Sequence, residues 1–84
     1  MSRLKKLKQK LANNPRGIRY EELVRVLQDL GYIEARSRGS HHVFRPSGSG
    51  PSLLVVKPHS GRPFCSEVDV RKVIALLEEV QDEH

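Results

Sequence analysis

The spacing of apolar residues changes period at Gly31, and that change restricts the fold more than any other feature of the sequence. Before it, Tyr20, Leu23, Val24, Leu27 and Leu30 recur at helical spacing and line one helix face, with Glu21 and Glu22 at its N-terminal end. Gly31 is a natural stop, because glycine enters the left-handed region without steric cost. After it, Ile33, Ala35 and Ser37 alternate with Glu34, Arg36 and Arg38, the two-residue period of a half-exposed strand. A chain that switches period here, and back again near its C-terminus, must combine helices and a sheet around one core.

The other elements fit around this switch. Residues 3–12, RLKKLKQKLA, put Leu4, Leu7 and Leu11 on one stripe among lysines, which predicts a short basic amphipathic helix. NNPRG (13–17) ends it, since Pro15 disfavours helical backbone at Asn14. Gly39-Ser40 is a tight turn, and HHVFR follows as a second strand. PSGSGPS (46–52) leads into LLVVK (53–57), a third strand that is apolar on both faces and so expected in a more buried position. PHSGRPF (58–64) is a loop. Ser66 and Asp69 have the spacing of a capping box, and Val70, Val73, Ile74, Leu77 and Val80 form a final helical stripe. Short turns between the strands predict an antiparallel meander. The expected fold is therefore an α+β two-layer sandwich of order α-β-β-β-α. Its three-stranded antiparallel sheet carries two helices on one face, and a short basic helix precedes it.

Size and charge narrow the function classes. Eighty-four residues make one domain, and 37% hydrophobic content with four aromatics makes its core thin. The single cysteine, Cys65, allows no internal disulfide, and the charged N-terminal stretch lacks the apolar run of a signal peptide or membrane span. The expected location is cytoplasmic. The seven Lys/Arg of residues 1–19, which include no acid, exceed the net charge of +5 by two, so the rest of the chain stands at −2. Within it, residues 35–66 hold Arg36, Arg38, Arg45, Lys57 and Arg62 and no acid at all. A basic middle between acidic flanks suggests a positive surface suited to phosphate.

The histidines His41 and His42 lie inside that basic block. RNA is cleaved without metal when a base takes the 2′-hydroxyl proton and an acid protonates the leaving 5′-oxygen. Imidazole titrates near neutrality and serves either role, while cations hold the phosphate. Phe44, the bulkiest strand residue, is expected to point inward. Alternation then sends His41, Val43 and Arg45 to the open sheet face beside Arg36 and Arg38, unless a bulge near Gly39 reverses the parity. The plainer alternative is a pair of polar strand residues, one exposed and one satisfied by a backbone group. A metal centre built from His41, His42, His59 and Cys65 conflicts with strand geometry, which turns adjacent residues to opposite faces, and with every closed zinc spacing. A Ser-His-Asp site near Ser40 or Ser60 lacks an acid to orient its histidine, and Cys65 fits a small buried residue better than a nucleophile.

The stretch YEELVRVLQDLGYIEARSRGSHHVFRP resembles the N-terminal half of HicA-type toxins, the small mRNA-cleaving partners of HicB antitoxins. The shared pattern is a helix ending in Gly-aromatic (Gly31-Tyr32), a strand ending in basic-Gly-Ser-His (Arg38 to His41), and an apolar-aromatic strand (Val43-Phe44). VVKPHS resembles the family's third strand and VRKVIALLE its closing helix, so the likeness covers about residues 18–80. The resemblance implies a fold like a double-stranded-RNA-binding domain over residues 18–84; the basic extension of residues 1–17 departs from it, being longer than in minimal members, and is read as an extra RNA contact or a soluble arm. It implies cofactor-free, metal-independent mRNA cleavage with His41 as the catalytic group and His42 as the second candidate. Arg36, Arg38, Ser40, Arg45, Lys57 and His59 are expected to hold RNA, and a HicB-like antitoxin to cover the face. A non-catalytic RNA-binding module of the same fold is the alternative; a protein that only pairs with other chains through its helices would ignore RNA.

Overall fold

The elements are α1 (Arg3–Asn13), α2 (Tyr20–Asp29), β1 (Tyr32–Arg38), β2 (His41–Pro46), β3 (Leu53–Val56) and α3 (Glu67–Gln81). They come from a computed structural model that describes residues 3–59 and 61–81, with side chains from Lys5 to Glu79. Leu4 and Val80, the outer ends of two expected stripes, and Ser60 in the 58–64 loop therefore fall outside the described side chains. The three strands form one antiparallel sheet of order β1-β2-β3, the expected meander, and the helices supply the second layer.

Local chemistry sets the element ends. At the start of α2 the Glu22 carboxylate accepts a hydrogen bond from the Arg19 N–H at 3.0 Å, satisfying a donor that the helix leaves open. At its end Gly31 adopts φ +89° and donates to the Gln28 carbonyl at 3.0 Å. At the start of α3 the Ser66 hydroxyl accepts from the Asp69 N–H at 3.2 Å, which is half of the expected capping box. The Asp69 carboxylate does not serve as the other half. It accepts from the Val56 N–H at 3.0 Å and pairs with Lys72 at 3.2 Å. Aspartate is one methylene shorter than the glutamate that usually closes such a box, and here the strand beside it is the nearer donor.

The core is filled by Phe44 and Val55 from the sheet, by Leu23, Val26 and Leu27 from α2, and by Val70, Val73 and Leu77 from α3. α1 belongs to this layer and is not a free arm. Its Leu11 is only 1% exposed, Leu7 packs against the same cluster, and Lys8 and Lys10 pair with Glu78 and Glu22 at 3.5 and 2.7 Å.

Two expectations about the sheet need correction. The parity of β1 is broken by a bulge at Ala35: Glu34 pairs with Phe44, but Arg36 pairs with Val43. Ile33, expected on the side opposite the arginines, instead pairs with Arg45 on the open face and is 62% exposed, and Tyr32 takes the buried place. The extra residue restores Arg36 and Arg38 to that open face while leaving Glu34 on the helix side. The second correction concerns β3, which is an edge strand rather than a more buried one. Leu54, opposite Val43, is 40% exposed on the open face. The strand tolerates its apolar sequence because α3 closes its outer edge: Val56 donates to Asp69, and the Leu54 carbonyl accepts from Lys72 Nζ at 3.2 Å.

Candidate functional site

The turn between β1 and β2 positions both histidines. Gly39 adopts φ +59°, a conformation that costs a residue with a Cβ about 1–2 kcal/mol. The turn is tied to β3 by the Lys57 N–H, which donates to the Ser40 carbonyl at 2.7 Å. Beyond it His41 pairs with Arg38 and Val56, and His42 pairs with Ser37 and Val55. Buried Phe44 marks the inward side of β2, so His42 points toward the helices and His41 toward the open face, as alternation predicts.

The two imidazoles meet different surroundings. The His41 side chain is exposed and has no hydrogen-bond partner among the described residues. His42, whose side chain is 15% exposed, holds Nδ1 3.0 Å from Oε2 of Glu34 and sets its ring 5.3 Å from that of Tyr20. An ionised carboxylate only accepts hydrogen bonds, so Nδ1 carries the hydrogen in this contact, and in the neutral ring the lone pair is then on Nε2. Glu34 is eight residues from His42 and reaches it across the hairpin as a diagonal neighbour on one face. Burial, with the Glu34 charge nearby, pushes the Tyr20 hydroxyl up to about 12, so near neutrality it donates hydrogen bonds and does not act as a base.

The cations divide between two surfaces. Arg36, Arg38 and Arg45 share the open face with His41, around the exposed apolar side chains Ile33 and Leu54. Lys57 lies on the other side of the sheet, with Nζ 5.6 Å from the Tyr20 ring centroid. His59 lines a cleft of about 410 Å³ together with Lys57, Arg62 and Phe64. The expected RNA-holding residues thus do not gather on one face. Arg36, Arg38, Arg45 and His41 stand on the open side; Lys57 and His59 stand on the side of His42, and Ser40 contributes a carbonyl that accepts from the Lys57 N–H.

Glu34 and Tyr20 are the members of this constellation that sequence reasoning missed. Tyr20 read as an ordinary member of a helical stripe. Glu34 read as a solvent-facing partner of Arg36 and Arg38, and only the bulge carries it across. Cys65 is buried, and burial with Asp69 nearby pushes its thiol up to about 11, which removes it as a nucleophile. Among the described residues no three His, Cys, Asp or Glu side chains cluster as metal ligands, and no helix is long and apolar enough to cross a membrane.

Comparison with known proteins returns one family. The profile described as HicA toxin of bacterial toxin-antitoxin matches residues 20–64, from the first residue of α2 to Phe64 in the loop before α3. No curated protein and no solved structure matches.

Proposed function

The chain belongs to the HicA toxin family of bacterial toxin–antitoxin systems, and we propose that it is an endoribonuclease cutting mRNA without a metal, with His42 as its acid–base group. The observation that carries this reading is the contact of 3.0 Å between His42 Nδ1 and Glu34. A carboxylate behind an imidazole fixes its tautomer and leaves Nε2 aimed away from the pair, which is the arrangement a general base requires.

In the proposed reaction Nε2 takes the 2′-hydroxyl proton, and the 2′-oxygen bonds to the adjacent phosphorus. The bond from phosphorus to the 5′-oxygen breaks, leaving a 2′,3′-cyclic phosphate, and the leaving oxygen takes a proton from solvent. Glu34 stabilises the imidazolium formed in the first step. Tyr20 and Lys57, on the same side, donate to the phosphate as its charge grows. With one oriented histidine rather than a matched acid–base pair, turnover is slow.

His41 is then a contact residue in the open basic face, where Arg36, Arg38 and Arg45 hold the RNA backbone through phosphate. The same face joins exposed Ile33 and Leu54 to these arginines, an apolar centre with a basic rim. That combination suits a HicB-like antitoxin that presents acidic and apolar groups together.

The test compares wild type, His41→Ala, His42→Ala and Glu34→Gln on a long single-stranded RNA with a chelator present. Cleavage lost in His42→Ala, reduced in Glu34→Gln and retained in His41→Ala supports the assignment. Loss confined to His41→Ala moves catalysis to the open face. Binding without cleavage by the wild type makes the protein an RNA-binding module instead.

A further inference from the structure

The cleft beside β3 has a lining that the mechanism above uses only at its edge. Lys57, His59, Arg62, Val56, Pro58 and Phe64 line it, together with Arg16, whose guanidinium is paired with Glu67 at 2.8 Å. No carboxylate lines it, and among the described residues none of Lys57, His59 and Arg62 has an ion-pair partner. Lys57 and Arg62, unpaired at a concave surface, attract an anion, and the volume of about 410 Å³ has room for a small one with a flat attached group.

Phe64 specifies the flat group. It is 42% exposed although it is one of only four aromatics in a chain whose core is thin. It is also rigidly placed: its backbone forms an antiparallel bridge with Arg19, and the Arg19 guanidinium sits 5.7 Å from its ring centroid. Next to it the Cys65 N–H donates to the Ile18 carbonyl at 2.8 Å. An aromatic side chain whose backbone is pinned, with a guanidinium over its ring and much of its surface exposed at a cationic cleft, is a candidate stacking platform for a base.

We propose that this cleft is a nucleotide subsite, with a base stacked on Phe64 and its phosphate held by Arg62, and with Lys57 between the subsite and the phosphate that is cut. The subsite takes one nucleotide of the RNA strand flanking the bond cut at His42, and to that extent it rests on the functional reading above. Tyr20 links the two places, since its ring lies 5.3 Å from that of His42 and 5.6 Å from Lys57 Nζ. Phe64 is thus a binding residue, and cleavage depends on it through the seating of the strand.

The experiment measures binding of a short, fully 2′-O-methylated oligoribonucleotide, which cannot be cut by this chemistry, and in parallel the cleavage of ordinary RNA. The proteins are wild type, Phe64→Leu and Arg62→Gln, each checked for folding by circular dichroism. Phe64→Leu keeps apolar bulk and loses the ring, so binding weakens roughly tenfold, within the range that stacking of one base accounts for. Arg62→Gln lowers the slope of log affinity against log salt by about 0.7, one single-strand phosphate contact. Wild-type affinity in Phe64→Leu overturns the subsite while leaving the ribonuclease reading intact. A wild type that binds and does not cut overturns the ribonuclease reading, and the subsite is then decided by the binding series alone. A wild type that does not bind the oligonucleotide overturns the subsite, and the ribonuclease reading is then decided by the cleavage assay alone.

Discussion

Asp69 of α3 accepts a hydrogen bond from the backbone N–H of Val56 in β3 at 3.0 Å, with the carboxylate buried and its second oxygen 3.2 Å from Lys72. One side chain thereby closes a sheet edge and locks the last helix to it. Asp69→Ala leaves a strand N–H without its partner, which costs about 1–3 kcal/mol. Urea unfolding is the check: the midpoint falls in Asp69→Ala and falls less in Asp69→Asn, which keeps an acceptor.

Gly39 holds φ +59° and has no neighbour near the position of an added Cβ, so strain and not collision decides what it tolerates. Gly39→Val costs about 1–2 kcal/mol in stability. Gly39→Asn costs less, because asparagine enters the left-handed region more readily. The same rank order in RNA cleavage shows that the turn sets the histidines; equal cleavage in all three proteins contradicts that link.

Lys10 holds the Glu22 carboxyl below the usual carboxylate range through a hydrogen bond, helped by the Arg19 backbone N–H. A depressed carboxylate stabilises the fold at pH values above its unfolded pKa, and that contribution disappears as pH falls through the folded value. The pair is partly exposed, so it contributes under about 1 kcal/mol after solvent screening. Thermal unfolding of Lys10→Met and wild type therefore differs at pH 7 and converges toward pH 3.

The Cys65 thiol is buried and raised to about 11, so the thiolate that reacts with alkylating agents is scarce in the folded protein. Iodoacetamide at pH 8 labels native protein far more slowly than protein in denaturant. Cys65→Ala retains RNA cleavage; loss of cleavage with folding preserved contradicts the structural role given to this residue.

Arg36, Arg38 and Arg45 stand together on the open face. Each change to Gln lowers the salt dependence of binding to single-stranded RNA by about 0.7 in log–log slope, if each contacts one phosphate. Stability changes by less than about 0.5 kcal/mol, since all three are exposed. An unchanged slope in the triple variant removes this face from the RNA path and leaves it to the antitoxin.

The order of elements, the antiparallel meander, the positive φ at Gly31 and Gly39 and the opposite facing of His41 and His42 were all legible in the sequence. Each follows from local rules: apolar spacing, glycine at left-handed positions, and the period of two along a strand. The site was not legible in the same way, because its parts meet through tertiary contacts. Uninterrupted pairing from the Gly39-Ser40 turn would set Glu34 opposite Arg45 on the open face. The bulge at Ala35 sets it opposite Phe44, on the side of His42. Nothing in the residue pattern of YIEARSR distinguishes these registers, since a single extra residue moves every side chain before it to the other face. The capping box at Ser66 and the position of β3 follow the same logic. Asp69 had a local role by spacing, but the strand edge beside it offered the bond that formed. Local chemistry thus settled which elements exist, and the packing of α3 and the bulged register of β1 decided which charged groups meet.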